Sequence, residues 1–287
     1  MPGTLFLVAT PIGNLEDMTF RAVRVLREVA IIAAEDTRRT ATLLAHYQIE
    51  TPTTSLHDHN ERSRVPAVLK RLMSGQDVAV VTDAGMPSIA DPGYLVAKAA
   101  IDAGIRVDVI PGASALTMAI AGSGLPADFV SFVGFAPARA GERARFFKSL
   151  RDVRGTVVLF ESPRRLPESL AALREYLGDR PIAVAHELTK LHESWHRGYI
   201  SELLGSKSLP EKGEFTIVVG AESRADKRAA SSQSPTVETV SVEFGELTET
   251  VGLDRREALA ELARRYRLPK RAIYSLVERG KNRLNDQ

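Results

Sequence analysis

Three short turns bearing glycine and proline, Thr10-Pro11-Ile12-Gly13-Asn14, Asp83-Ala84-Gly85-Met86-Pro87 and Pro111-Gly112-Ala113-Ser114-Ala115, each follow directly on a β-rich apolar run. Glycine lets the backbone approach a ligand closely and proline stiffens the turn, so the freed N–H and C=O groups can bind polar parts of a cofactor. A further segment in the same position is charged: Glu35-Asp36-Thr37-Arg38-Arg39 sets two carboxylates beside two guanidiniums. That set could orient a substrate hydroxyl or bind phosphate; it also describes a helix start with its acids at the positive end of the dipole. Glu161-Ser162-Pro163-Arg164-Arg165 and Glu187-Leu188-Thr189-Lys190 end two later runs and, taken alone, read as solvated turns. His57-Asp58-His59-Asn60-Glu61 has ligand-type side chains, but its i, i+2 spacing in a loop with no further ligand reads as a surface loop, and no metal is expected. The chain has no cysteine, which removes thiolate ligands, thiol nucleophiles and disulfides. Neither GxxxxGK[ST] nor a GxGxxG after the first strand occurs, so a P-loop and a standard Rossmann dinucleotide site are unsupported.

The elements that would carry these turns alternate. Apolar runs at Leu5 to Ala9, Ile31 to Ala34, Val78 to Thr82 and Val107 to Ile110 are each followed by a helical-period segment, starting near Thr19, Arg39, Tyr94 and Ser114. Continuous apolar strands separated by helices imply βαβ crossovers and a largely parallel sheet buried on both faces. The carboxyl ends of such strands share one edge, so the three turns border a common crevice, and the place of Glu35-Asp36 on that edge favours its functional reading. The pattern restarts with strands at Phe129 to Phe135, Thr156 to Phe160, Ile182 to Ala185 and Phe215 to Val219 and helices near Arg143 to Leu150 and Leu166 to Leu177. The fold class is α/β, with an N-terminal α/β domain over 1–115 and a second α/β domain over 116–220 in which some strands pair antiparallel.

From 221 to 236 the composition is Ala/Ser/Arg-rich and describes a linker. Residues 237–287 form a basic helical extension, in which Asp254-Arg255-Arg256-Glu257 is a capping box and Leu268-Pro269-Lys270 separates two amphipathic stretches into a helical hairpin. The net charge of +2 is unevenly spread: Asp254 to Gln287 holds ten Lys/Arg against five Asp/Glu, leaving 28 against 31 before it. Such a hairpin serves either as a helix-turn-helix reader of nucleic acid or as a packing or dimerisation element. The Leu5 to Ala9 run is too short for a membrane span and has no basic leader, so a cytoplasmic protein without membrane association is expected.

Taken in order, Ala9 to Leu15, Glu35 to Arg38, Asp83 to Gly93, Pro111 to Leu116, Gly134-Phe135, Glu161 to Arg165, Glu187 to Lys190 and Gly213 to Phe215 resemble the tetrapyrrole-methylase superfamily, and within it the bacterial 16S ribosomal RNA cytidine 2'-O-methyltransferases. The resemblance runs from about residue 3 to 220, with Met86 standing where threonine is expected. It implies a two-domain methyltransferase with S-adenosylmethionine in the cleft between domains, a homodimer, and 16S ribosomal RNA of the small ribosomal subunit as partner. Mapped onto this chain, it implies that Thr10, Pro11 and Gly13 wall the cleft, while Asp83, Gly85 and Pro87 approach the methionine portion. Ser88 and Asp91 then shape the adjoining loop, and Pro111, Gly112, Ala113 and Ser114 hold the adenosine side together with Thr189.

Methyl transfer to a ribose hydroxyl needs alignment of oxygen, methyl carbon and sulfur, and a group that accepts the hydroxyl proton. Glu35, Asp36 and Asp83 are the candidates for that acceptor, and Arg38 for holding a neighbouring phosphate. Competing readings are a methyltransferase of a porphyrin or corrin precursor and a non-catalytic RNA-binding assembly factor that keeps the fold.

Overall fold

The computed structural model describes residues 1–206, 209–221, 237–250, 252–266 and 268–285. The linker expected over 221–236 lies, apart from Ala221, outside the described residues. Contacts divide the chain into a unit from Met1 to Ala221 and a second from Glu222 to Gln287.

The first unit opens with β1 (Leu5–Val8), α1 (Phe20–Glu28), β2 (Ile31–Ala34), α2 (Thr37–His46), β3 (Thr53–Ser55), α3 (Glu61–Met73), β4 (Val78–Val81), α4 (Tyr94–Asp102) and β5 (Val107–Ile110). The five strands form one sheet in the order β3-β2-β4-β1-β5, and every pairing in it is parallel. Alternate residues of the strands feed two cores. Val8, Ile32, Ala34, Ala79 and Val81 meet Ala22, Val25, Leu26, Leu43 and Leu44 of α1 and α2. Leu5, Leu7, Ile31, Ala33, Val78 and Val80 meet Val68 and Leu72 of α3 and Val96 and Ala100 of α4. Burial on both faces is the reason β2 and β4 are apolar at every position. The helix starts are fixed by side chains: Thr19 accepts from Ala22 N at 3.1 Å, and Asp36 from Arg38 N at 2.9 Å.

The chain then passes through α5 (Ala115–Ser123) into β6 (Val130–Phe135), α6 (Ala140–Ser149), β7 (Thr156–Glu161), α7 (Leu166–Leu177), β8 (Pro181–His186), β9 (Ser194–Tyr199), α8 (Ile200–Gly205) and β10 (Phe215–Val219). This second sheet has the order β6-β7-β10-β8-β9; β6 and β7 are parallel and the other neighbours antiparallel. One face packs Val157, Leu159, Val184 and Ile217 against α6, α7 and α8 through Phe147, Leu170 and Leu203. The other packs Val158, Ala183, Ala185 and Val218 against Ala119 of α5.

The second unit contains α9 (Val237–Gly245), running into a π turn at Glu246–Thr250, α10 (Arg255–Tyr266) and α11 (Lys270–Asn285). The sequence predicts a hairpin, and the structure adds α9, whose β-branched Val237-Glu-Thr-Val-Ser-Val run has low intrinsic helix propensity. Packing overrides that propensity: Val240 and Phe244 join Ala258, Leu262, Ile273 and Val277 in a separate core. The Asp254/Glu257 capping box is formed, with Glu257 N donating to Asp254 at 2.7 Å and Asp254 N to Glu257 at 3.1 Å.

Candidate active site

Because the first sheet is parallel throughout, the chain leaves β1, β2, β4 and β5 on one edge. The β1 and β4 turns are stapled there. Thr10 N donates to Gly85 O at 2.9 Å, Gly85 N donates back at 3.0 Å, and Thr10 Oγ1 donates to Thr82 O at 3.0 Å. Gly85 adopts φ +83°, a region side-chain-bearing residues avoid, and a Cβ on it would lie 3.5 Å from Ile12 and 3.8 Å from Ala113 O. Three turns therefore converge at that one residue.

Glu35 and Asp83 leave neighbouring strands and lock each other's backbone. Asp83 N donates to Glu35 Oε2 at 3.1 Å, and Asp36 N donates to Asp83 Oδ1 at 3.0 Å. Arg39 closes the set with an ion pair to Asp83 at 3.1 Å. Burial raises the Glu35 carboxyl above its ordinary range; the bond from Asp83 N opposes this, while the Asp83 and Asp58 charges reinforce it. Burial pushes Asp91 up to about 7, helped by the negative charges of Glu35, Asp58 and Asp83. Asp91 sits on a loop with left-handed Ser88 (φ 70°) and Ala90 (φ 62°). The end of that loop is held by Glu61, whose Oε1 accepts from Gly93 N and Leu95 N, both at 2.9 Å, at the start of α4. Glu61, expected to sit in a surface loop, is thus 5% exposed and anchors a neighbouring helix.

The second sheet brings another set of residues to the same place. Phe215 of β10 pairs with Glu161 of β7 and His186 of β8, so the end of β7, the end of β8 and the start of β10 lie together. The β8–β9 turn grips the first sheet: Thr189 Oγ1 accepts from Asn14 N at 3.0 Å, and a Cβ on Gly13 would fall 2.7 Å from Thr189 Oγ1 and 2.4 Å from Lys190 Cγ. Lys190 in turn bridges Glu187 and Glu214, both at 2.9 Å. Burial alone would raise the Glu187 carboxyl, but the bonds from Lys190 and Glu214 N win and hold it below its ordinary range. Glu161 is buried and fully engaged by Ser162 N (2.8 Å), Ser169 Oγ (2.6 Å) and Arg165 (2.8 Å), while Arg165 also reaches Ala136 O at 3.0 Å.

Between the two sets lies a cavity of about 370 Å³. The first sheet's edge contributes Ile12, Glu35, Arg39, Asp83 to Met86, Ile89 to Asp91 and Ser114 to Leu116; the second contributes Phe135, Phe160 to Pro163 and Gly213 to Thr216. The volume is that of a small-molecule site. A wider depression of about 970 Å³ runs along α1 and Tyr47 and, among the described residues, shares no lining residue with this cavity.

Residues 4–204 match the model of the tetrapyrrole (corrin/porphyrin) methylases. The chain belongs to that family. This methylase is 42% identical over 273 residues to the ribosomal RNA small subunit methyltransferase I of Streptococcus pyogenes serotype M1, covering 95% of the chain and 93% of the relative. It is also 42% identical over 277 residues to the protein of that name from Synechocystis sp. (96% and 97% covered). Identity to the Thermotoga maritima protein of the same name is 47% over 219 residues, 76% of this chain and 98% of that one. Its fold is shared with diphthine synthase (TM-score 0.61, 15% identity, 77% and 90% covered). It is shared too with a uroporphyrin-III C-methyltransferase of Thermus thermophilus solved with S-adenosylhomocysteine (TM-score 0.52, 18% identity, 75% and 97% covered).

Of the residues singled out in the methylase sequence, the structure brings Glu35, Asp83, Gly85, Asp91 and Ser114 to the cavity wall. Thr10 and Pro87 are buried behind it, and Pro11 with them. A Cβ on Gly112 would meet Ala9 Cβ at 2.8 Å, so that glycine serves the packing of the β5 turn on β1; Pro111, Ala113 and Ser88 sit in the same turns without lining the cavity. Gly13 and Thr189 join the two sheets. Asp36 and Arg38 are not brought to the cavity: Arg38, its side chain 89% exposed, pairs with Asp36 at 2.7 Å, and that bond holds the Asp36 carboxyl far below its usual range. The arginine at the cavity is Arg39, one residue on, and only the register of α2 decides between them. Met86 lines the wall where threonine was expected, and the turn's backbone pairing with Thr10 is intact. Phe135, Phe160, Glu214 and Phe215 were absent from the expected site, although Gly134-Phe135 and Gly213-Glu214-Phe215 stood among the motifs.

Proposed function

We propose that this methylase transfers a methyl group from S-adenosylmethionine to the 2'-oxygen of a cytidine in 16S ribosomal RNA, acting on the small ribosomal subunit. The observation that carries the reading is identity of 42% across 95% of the chain to proteins named ribosomal RNA small subunit methyltransferase I. The cytoplasm as its location and a homodimer as its working form complete the proposal; no helix among the described residues is long and apolar enough to cross a membrane.

The donor set of the cavity fits the cofactor. Glu35 and Asp83 complement a sulfonium and an ammonium, and Phe135, Phe160 and Leu116 offer apolar walls to a heterocycle. The first turn of α5 leaves N–H groups free of any side-chain cap at Ser114. Gly85, Ser114, Glu35 and Asp83 would hold the cofactor. When bound, it supplies a methyl carbon on a sulfur that leaves without protonation. The chain's task is positioning: Glu35 and Asp83 fix two strand ends, Arg39 partly neutralises their charge, and the Thr189 and Lys190 contacts set the cavity's width. Thr10, Pro11, Gly13, Pro87 and Pro111 to Ala113 act behind the wall by holding the turns in register.

Purified protein is incubated with methyl-labelled S-adenosylmethionine and unmethylated small subunits, and the label is mapped by nuclease digestion and mass spectrometry. Label on a cytidine ribose is expected. Transfer to a tetrapyrrole precursor, with none to competent subunits, overturns the RNA assignment and keeps the methylase.

A further inference from the structure

Five carboxylates border the cavity, and among the described residues four are committed. Glu35 accepts from Asp83 N, Asp83 accepts from Asp36 N and pairs with Arg39, Glu161 is bound by Ser162, Ser169 and Arg165, and Glu214 is held by Lys190. Asp91 makes no hydrogen bond and no ion pair with any described residue, so both its oxygens are available to a ligand. Its position is nonetheless fixed. Ser88 N donates to Pro92 O at 3.1 Å across the loop, two residues of that loop are held left-handed, and Glu61 anchors its end on α4. A loop kept in strained conformations around one unpaired acid is the arrangement expected of a group held ready for chemistry.

We propose that Asp91 is the proton acceptor of the reaction. Its carboxylate takes the hydrogen of the acceptor hydroxyl, the oxygen keeps the O–H electron pair and bonds the methyl carbon, and the C–S pair leaves with the sulfur; Asp91 then returns the proton to water. This rests on the reading of the acceptor as a ribose hydroxyl. Of the charges around Asp91, Glu35, Asp58 and Asp83 are negative, Arg39 is tied to Asp83, and Glu214 with Lys190 faces the cavity from the second sheet. A carboxyl raised to about 7 by these surroundings is a stronger base than an ordinary aspartate and still half ionised at neutral pH.

The full chain and its Asp91→Asn and Asp91→Glu variants are compared in three measurements: cofactor binding by calorimetry, single-turnover methylation of unmethylated small subunits across pH, and 13C-carboxyl NMR of the ligand-free protein. For Asp91→Asn the expected result is cofactor affinity within about three-fold of wild type, a single-turnover rate lower by on the order of 10²–10³, and loss of the ascending pH limb near neutrality. Asp91→Glu keeps a limb, displaced in midpoint, and the NMR titration of Asp91 has its midpoint near 7. The inference is overturned if Asp91→Asn turns over at the wild-type rate once saturated with cofactor, or if Asp91 titrates like an exposed aspartate. A wild type that labels a tetrapyrrole carbon defeats the acceptor reading alone. That acceptor also has a proton to lose, and the Asp91→Asn pH profile measured on it decides the role of Asp91.

Discussion

The two sheets of the first unit supply the cavity by different routes. In the parallel sheet every chain exit is on one edge, and the turns after four of its five strands reach the cavity: Ile12 after β1, Glu35 after β2, Gly85 after β4 and Ser114 after β5. In the mixed sheet, β10 runs antiparallel to β7 and β8, so the residues at the cavity include Gly213, Glu214 and Phe215, which precede or begin a strand. Strand-end reasoning therefore describes the first wall and misses half of the second. The first wall carries Glu35, Asp83 and Asp91 with Arg39 as the one lining cation among the described residues, and the second carries Phe135, Phe160 and Phe215 beside Glu161 and Glu214, whose charges are met by Arg165 and Lys190. Electrostatic positioning is concentrated on one side and shape on the other.

Variants that separate these contributions rank as follows. Asp83→Ala removes the acceptor of Asp36 N and the partner of Arg39 together, and kcat/KM is expected to fall by on the order of 10²–10³. A drop of less than about ten-fold would show that the charged wall is dispensable. Gly13→Ala attacks the join between the walls: its methyl group would overlap Lys190 and Thr189, with Leu188 O at 3.1 Å barring retreat. Urea denaturation should report a loss of about 1–3 kcal/mol, with weaker cofactor binding in calorimetry. Thr189→Val deletes the bond from Asn14 N and should cost about 1 kcal/mol, with cofactor affinity falling a few-fold and the single-turnover rate kept. Arg38→Ala, at an exposed pair, should leave kcat/KM within about two-fold, against about ten-fold for Arg39→Ala; the reverse order would restore Arg38 as the working arginine.

Asp91 adds a test on stability that needs no substrate. Its folded-state carboxyl, at about 7, lies above the ordinary value of about 3.9, so the folded protein holds an extra proton between the two. Stability therefore declines as pH rises through that window. Asp91→Asn escapes the decline, and its melting temperature should gain on wild type between about pH 4 and pH 8. Parallel curves would place the ionised carboxylate at no cost in the fold.

Much of the architecture was legible because burial on both faces forces β2 and β4 to be apolar throughout and β10 at every position but Thr216, and such runs are visible without partners. Among the described residues, two of the four edge strands give no such signal. Thr53-Thr54-Ser55 of β3 is short and polar, and Ser194-Trp-His-Arg-Gly-Tyr of β9 mixes polar and aromatic residues; each has only one neighbour to pair with. Helix α3 hid behind Pro66, which reads as a breaker in mid-helix and is tolerated here. At the site, the turns and Glu35 were visible as motifs, but a choice between Arg38 and Arg39 depends on helix phase. The availability of Asp91 depends on which other carboxylates find partners, and partners across strands are a property of the folded chain.

The helices α9 to α11 bury Val240, Phe244, Leu247, Ala258, Leu262, Ile273 and Val277 in a cluster drawn wholly from their own stretch of chain. Sequence that buries its own apolar surface carries its own packing determinants, so the charge of the exposed faces of these helices can vary without disturbing those seven positions.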